Sequence, residues 1–510
     1  MACRPLMHFM KNEASETSAQ KTLSKVFFYL SILLIGLVAL FTWQRFAFYS
    51  AVRELRDAGV EVQIQGPWDI IKEAWERPNR WGWDEPYRRV LRVALQRTTW
   101  ETDDRAVLSG DLENIDVKTL GVLLKKVDPD TIYINDDSLL NLDCFIGLTR
   151  LRELRFCDSA TLEDVNGLKG LKYLKSVNLS GCTGLKNIDG LKELISLEEL
   201  NLDYCTALQG IKRFNGFKKL KILSLQYWKD LKSVNALKGL TDLVDLNLNG
   251  CTALKDIDGL HTLVKLERLN LEDCTALQSI SGLKSLVNIK SIQFKNCISL
   301  QDFDVLNSLT GLSLLQIYHC PALKNVDNLK GLLRLKSLDL YHCNALQNIN
   351  GLKGLTGLEY LELSGSTSLQ NVDGLKGLTR LKSIYLNDCT SLENVNGVTG
   401  LIRLHTLELN RCTKLQNVDA LEGLKDLSAL RLSGCSSLQN IDGLKGLEDL
   451  RFLDLKDCSE LRSVEGIKGL SHLVELFLEN CSKLPDSTVK ELRMALPTTR
   501  GFATNEESAK

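Results

Sequence analysis

Leu200 and Leu202 alternate with Asn201 and Asp203, so two apolar side chains face one way and two polar ones the other. That is the period of a strand buried on one face. The alternation returns along most of the chain, each time followed three residues later by the same small residue. Cysteine stands at Cys182, Cys205, Cys251, Cys274, Cys297, Cys320, Cys343, Cys389, Cys412, Cys435, Cys458 and Cys481, in steps of 23 residues apart from two of 46, whose midpoints hold Trp228 and Ser366. The leucines extend the series upstream to Ser159, where Leu154, Phe156 and Leu162 match Leu200, Leu202 and Leu208. A looser unit with Ile132, Ile134 and Leu140 precedes it. Identical strands at this separation cannot pair as hairpins; they predict a parallel stack at about 4.8 Å per coil. No coil buries its own leucines alone, so stacking supplies the core.

Between strands the chain must return, as in Asn371-Val372-Asp373-Gly374-Leu375-Lys376-Gly377-Leu378. A short helical turn is expected there, with Asp189, Asp258, Asp373 and Asp442 capping its free amides. The glycines of the recurring Leu-Lys-Gly-Leu read as packing residues. Near the end, Leu484-Pro485-Asp486-Ser487 leads into an expected amphipathic helix from Thr488 to Leu496 that covers the last coil, with a frayed polar tail from Thr499.

Leu197 to Leu208, L-E-E-L-N-L-D-Y-C-T-A-L, resembles the leucine-rich repeat, whose pattern is L-x-x-L-x-L-x-x-N/C-x-L. One departure is that two residues, not one, separate the cysteine from the next leucine. The stretch Leu432 to Leu438 is similar to the cysteine-type repeats of plant immune sensors, and the return arm to internalin-type bacterial repeats. An anchor, a small cap and a repeat array together resemble a class of membrane-anchored bacterial leucine-rich-repeat proteins. The expected fold is an α/β solenoid of about 15 coils, a horseshoe or arc with a parallel concave sheet, preceded by one transmembrane helix.

That helix is expected at residues 26–43, VFFYLSILLIGLVALFTW, which carry no charge. At 1.5 Å per residue they make about 27 Å of helix, close to the roughly 30 Å of a bilayer core. The expected organisation is a tail (1–25), the anchor (26–43), a membrane-proximal and capping region (44–129), the solenoid (130–484) and a capping helix with tail (485–510). The capping region reads as a helix from Ala51 to Ala58, an extended piece through Val60, Val62 and Ile64, and stretches holding Trp68, Trp75, Trp81 and Trp83. Arg4, Lys11, Lys21 and Lys25 before the span lean toward a cytoplasmic N-terminus, with the repeats outside the cell.

The 63 basic and 64 acidic residues balance, leaving no field to attract a polyanion, so nucleic acid is not an expected partner. No H-E-x-x-H, G-x-S-x-G or G-x-x-x-x-G-K-[ST] arrangement occurs, and neither an enzyme nor a cofactor is expected. One thiol per coil, with no CxxC pair, reads as a structural ladder and not a metal site: cysteine acts there as a small buried hydrophobe whose S–H serves a backbone carbonyl.

Function is expected on strand positions that leave the core, namely two, four and six residues before each ladder position and the one directly before it. On four adjoining coils these include Tyr318, His319, Tyr341, His342, Tyr360, Glu362 and Tyr385, in a chain that is only 6% aromatic. Tyrosine offers large contact area with a polar handle. Tyr204, Tyr227 and Trp228 form a second, smaller group. The expected function is a membrane-anchored protein that binds a protein or peptide ligand on the concave sheet; the alternative is an envelope-organising spacer with no specific ligand.

Overall fold

A computed structural model of the chain describes residues 60–65, 105–110, 117–127, 129–135, 139–208, 214 and 216–501. The apolar segment 26–43, the expected helix Ala51–Ala58 and the tryptophan-bearing stretches lie outside the described residues. Among the described residues no helix is long and apolar enough to cross a membrane. The chain divides into two compact units, one running to Tyr133 and including Asp143–Leu151, the other made of Ile134–Leu142 with Arg152 onward.

In the first unit the extended piece is strand β1 (Val60–Gln65), antiparallel to β2 (Arg105–Gly110) with Val60 opposite Gly110. Helix α1 (Val117–Val127) follows, burying Leu120, Leu123 and Leu124 at helical spacing. A Cβ on Gly121 would stand 3.2 Å from the Cα of Cys144, so the glycine lets α1 approach the turn Asp143–Phe145. Strand β3 is Thr131–Asn135.

The second unit is the repeat array. Its strands are β4 (Glu153–Phe156), β5 (Ser176–Asn178), β6 (Glu199–Asn201), β7 (Ile222–Ser224), β8 (Asp245–Asn247), β9 (Arg268–Asn270), β10 (Ser291–Lys295) and β11 (Leu314–Tyr318). They continue with β12 (Ser337–Asp339), β13 (Tyr360–Glu362), β14 (Ser383–Tyr385), β15 (Thr406–Glu408), β16 (Ala429–Arg431), β17 (Phe452–Asp454) and β18 (Glu475–Phe477). Each pairs in parallel with the next, and residues one period apart stand opposite, as Leu338 does to Leu361 and Leu361 to Ile384. Parallel pairing in chain order is the predicted stack.

The return arms differ from the expected helical turn. From Leu363 to Ile384 every third residue (Ser366, Leu369, Val372, Leu375, Leu378 and Leu381 between them) is 0% exposed. A three-residue period suits 3-10 geometry, not an α-turn, and the arms described throughout carry a short 3-10 turn such as Asp373–Leu375. The aspartates do not cap it. Asp373 is the first residue of the turn, its N–H bonded to Asn371 Oδ1 at 3.2 Å, and Asp189 likewise donates to Asn187 Oδ1. The capping side chain therefore sits two residues earlier, where it reaches the free amide. At Asp373 and Asp189 the aspartate side chain instead pairs along the turn, with Lys376 at 3.0 Å and Lys192 at 2.6 Å, while Asp258 accepts from Ser281 Oγ one coil on.

The glycines need correcting too. Gly374 is the one packed against backbone: its Cβ would meet the Ile349 carbonyl carbon at 2.6 Å. Gly377, its Leu-Lys-Gly-Leu equivalents Gly354 and Gly446, and Gly400 at the same place in Val-Thr-Gly-Leu have open space around them and φ of 80–89°. They are required by a left-handed turn, not by packing.

The thiol ladder is buried and bonded as expected. Cys205 Sγ donates to Leu179 O at 3.1 Å and Cys435 Sγ to Leu409 O at 3.1 Å, each reaching the preceding coil. Cys320 departs, bonding Tyr318 O on its own strand. Burial pushes the thiols up, Cys251 and Cys389 to about 12, so they remain protonated. At the C-terminal end helix α2 (Asp486–Ala495) starts two residues before the expected Thr488, directly after Pro485. It buries Val489 and Leu492. The chain after it is not frayed at once. Arg500 lies parallel to β18 opposite Glu475, its carbonyl accepting from Leu476 N–H at 2.9 Å, and thus occupies the edge of the last strand.

Candidate functional site

On β11 the burial pattern alternates, with Leu315 and Ile317 in the core and Gln316 and Tyr318 turned outward. The candidate residues on the four adjoining coils share that outward face, although their tyrosines lie in different rows. Tyr318 and Tyr341 stand two residues before the ladder, Tyr385 four and Tyr360 six. The rings nevertheless meet in pairs: Tyr318 and Tyr341 edge-on with centroids 6.5 Å apart, and Tyr360 and Tyr385 tilted at 5.4 Å. Between the pairs, Asp339 faces Glu362 in register, and Glu362 faces Tyr385.

Tyr318 is tied into this surface. Its hydroxyl donates to Asp339 Oδ2 at 2.7 Å and accepts from Gln316 Nε2, whose own Oε1 accepts from Gln293 Nε2 at 2.6 Å. Asp339 Oδ1 also accepts from Tyr341 N–H at 3.2 Å. Tyr318 thus supports a buried carboxylate. The hydroxyls of Tyr341, Tyr360 and Tyr385 have no hydrogen-bond partner among the described residues. Burial raises the Asp339 and Glu362 carboxyls above the ordinary range, and the like charges of Asp339 and Glu408 add to the Glu362 effect. Their protonated forms are therefore favoured by folding: this contribution is full below the ordinary carboxylate values and is lost as pH rises through the raised ones.

A second row explains His319 and His342. The residue directly before the ladder is left-handed throughout, at Tyr204 (φ 60°), Tyr227 (59°), His319 (49°) and His342 (55°), and is glycine at Gly181, Gly250, Gly365 and Gly434. Left-handed backbone tilts these side chains along the stack, so that neighbours lie ring on ring. Tyr204 and Tyr227 stack with centroids 4.5 Å apart and planes at 15°, His319 and His342 at 4.8 Å and 12°. Both distances match the spacing of coils. Each column ends on glycine because the last ring covers it. A Cβ on Gly250 would stand 2.6 Å from Tyr227 Cδ1, and one on Gly365 would stand 2.8 Å from His342 Cγ. Burial, then the neighbouring His342, lowers the His319 pKa.

Trp228 does not belong to the outward group. It fills the ladder position, is 5% exposed, and its Nε1–H donates to Leu202 O at 2.7 Å in place of a thiol. An indole N–H reaches the same carbonyl as S–H would, so the core accepts it there. Ser366, the other substitute, leaves its hydroxyl buried with no partner. Asp203, read in the sequence only as an outward polar strand position, is 5% exposed and accepts from Ser224 Oγ at 2.6 Å and from Gln226 N–H at 2.7 Å.

Among the described residues no group of three or more metal-ligating side chains comes together, and His319 and His342 have no third ligand beside them.

Residues 129–255, 224–347, 264–393 and 387–493 match a family described as the BspA type leucine rich repeat region, in 6 copies. The chain belongs to the BspA-type leucine-rich-repeat family. No curated protein matches this member in sequence. Among solved structures, an internalin from Listeria monocytogenes is 17% identical, covering 76% of this chain and 93% of its own at a TM-score of 0.45. A leucine-rich-repeat protein of Leptospira interrogans is 18% identical, covering 69% of this chain and 95% of its own at 0.41. A chain of the Drosophila Toll–Spatzle complex is 15% identical, covering 74% of this chain and 49% of its own at 0.46. None of these likenesses extends to a ligand.

Proposed function

We propose that this BspA-type leucine-rich-repeat protein recognises a protein or peptide on the outward face of its sheet, centred on the four coils from β11 to β14, and is held to the cell membrane by residues 26–43 with the repeats outside. The observation that supports recognition is the set of tyrosines there. The exposed Tyr341 packs against Tyr318 and the half-buried Tyr360 and Tyr385 against each other, while the hydroxyls of Tyr341, Tyr360 and Tyr385 have no partner among the described residues. Such side chains cost little to order and carry much of the energy of interfaces.

The test is capture of a saturable, stoichiometric partner by the full chain, compared with a Tyr360→Ser/Tyr385→Ser variant and a Lys330→Ala/Lys353→Ala/Lys376→Ala control on the return arms. Tyr318 is left intact because it supports Asp339. The tyrosine variant is expected to melt normally and to bind at least about ten-fold more weakly, the control to bind as the unaltered chain. Loss in the lysine variant alone moves recognition to the return arms. Absence of any saturable partner favours a spacer instead.

A further inference from the structure

Some carboxylates on the sheet face are compensated by a cation one coil away. Asp245 pairs with Arg268 at 2.6 Å, Glu408 with Arg431 at 2.7 Å and Glu479 with Lys456 at 3.5 Å. Asp388, at the head of its strand turn, pairs with Arg411. Asp339 and Glu362 stand side by side without such a cation. They face one another in register, Glu362 Oε1 accepts the Ser364 N–H at 2.7 Å, and no lysine or arginine forms an ion pair with either carboxylate among the described residues. Two like charges on neighbouring strands are destabilising. Among the described paired strands this is the one place where two carboxylates stand directly opposite each other, and it lies where the tyrosines gather.

The surroundings are those that a planar cation prefers. Glu362 has Tyr360 two residues away on its own strand and Tyr385 opposite on the next, and those rings lie 5.4 Å apart. Beside it, Ser364 and Gly365 are small and buried, between Tyr341 and His342 on one side and Asn387 and Asp388 on the other. Guanidinium groups stack on aromatic faces and fork onto carboxylates, which an ammonium does less well.

We propose that the partner enters this face with an arginine side chain, whose guanidinium pairs with Glu362 and Asp339 and lies against the rings of Tyr360 and Tyr385. The proposal rests on the recognition reading above and specifies the chemistry of its partner. The missing cation of the Asp339–Glu362 pair is the ligand's. A neutral or acidic partner segment would leave the carboxylates desolvated and uncompensated, and is rejected on the same ground.

The test uses the full chain with its 11 tyrosines carrying ring carbon-13, the Tyr360 and Tyr385 signals being assigned from Tyr→Phe variants. The probe is N-acetyl-arginine amide, and the comparison is N-acetyl-citrulline amide, which has nearly the same shape without the charge. Arginine is expected to shift the Tyr360 and Tyr385 signals saturably, with citrulline at least about ten-fold weaker. Glu362→Gln retains an acceptor for the Ser364 N–H and should leave the unliganded spectrum unchanged, yet weaken arginine binding by about ten-fold or more. Glu272→Gln, on the same face outside the tyrosine group, should bind as the unaltered chain does. Equal response to both probes, no response to arginine up to its solubility, or full binding by Glu362→Gln each overturns the proposal. If the arginine probe fails while partner capture still depends on Tyr360 and Tyr385, recognition stands and only its cationic chemistry falls. If capture is also indifferent to them, both fall.

Discussion

A buried hydroxyl at Ser366 sits in a row where every neighbour solves the same problem differently. Cys343 and Cys389 satisfy a carbonyl of the coil before them, Ile317 O at 3.2 Å and Leu363 O at 3.4 Å, with a polarizable S–H that tolerates a long bond. The serine hydroxyl is shorter and reaches nothing. An unmade buried hydrogen bond costs about 1–3 kcal/mol, and sulfur also fills volume that oxygen leaves empty. Ser366→Cys should therefore raise the unfolding free energy by about 1 kcal/mol, measured by urea titration with an unchanged slope. An unchanged or lower midpoint would mean that the ladder cysteines serve something other than packing and this bond. The period, the inward direction of the cysteines and their carbonyl bond were legible in the sequence, because one residue type recurs at one interval. The opposite orientation of Trp228 was legible too, from its place in that interval. Reading it as a recognition aromatic gave its chemistry more weight than its position.

Each coil is two pieces of different period. The strand alternates, and Leu200 against Asn201 shows it at once. The return arm buries every third residue, a pattern the sequence also carries in Leu369, Val372, Leu375, Leu378 and Leu381. Expecting a helical turn there obscured it, since apolar residues three apart satisfy an α-helix for one turn. The left-handed column before the ladder was harder to see: Asp273, Asn296, His319 and His342 share no hydrophobicity, and only the glycines that end each run betray the backbone they have in common. Gly365 carries two demands, a φ of 77° and room beneath the His342 ring. Gly365→Ala should destabilise by about 1–2 kcal/mol and displace the His342 ring from its stack on His319. The matched change Gly377→Ala meets the left-handed requirement alone, with no neighbour to strike, and should cost less. Equal melting losses in the two variants would show that the ring column plays no part in fixing Gly365.

At the scale of the repeat unit, constant register makes coils interchangeable, and the cost of losing one should be local. Cys251-Thr252-Ala253-Leu254 and Cys274-Thr275-Ala276-Leu277 have the same sequence, so excising residues 252–274 joins Cys251 to Thr275 and restores the motif without a scar. The strands that become neighbours, β8 and β10, already pair with β9 in the same alignment, Asp245 and Ser291 both opposite Arg268. Gly250 is retained, so the Tyr227 ring keeps the surface that it covers. The lost contacts are those of the removed coil, such as the Lys265–Asp242 and Arg268–Asp245 pairs at 2.6 Å, both exposed and each worth little. In a stack whose stability is a sum of coil and interface contributions, the excised chain should fold with an unaltered circular dichroism shape and a modestly lower melting temperature. Binding should be retained, because β11 to β14 are untouched. Excising one residue fewer, 252–273, makes the contrasting case. The strand period is two, so a slip of one residue turns the leucines outward and the polar row inward for the coil at the junction. That chain should melt far lower or fail to fold. If both deletions behave alike, then 23-residue register is not what holds the stack, and the assignment of inward and outward faces on which the tyrosine and carboxylate site depends must be abandoned with it.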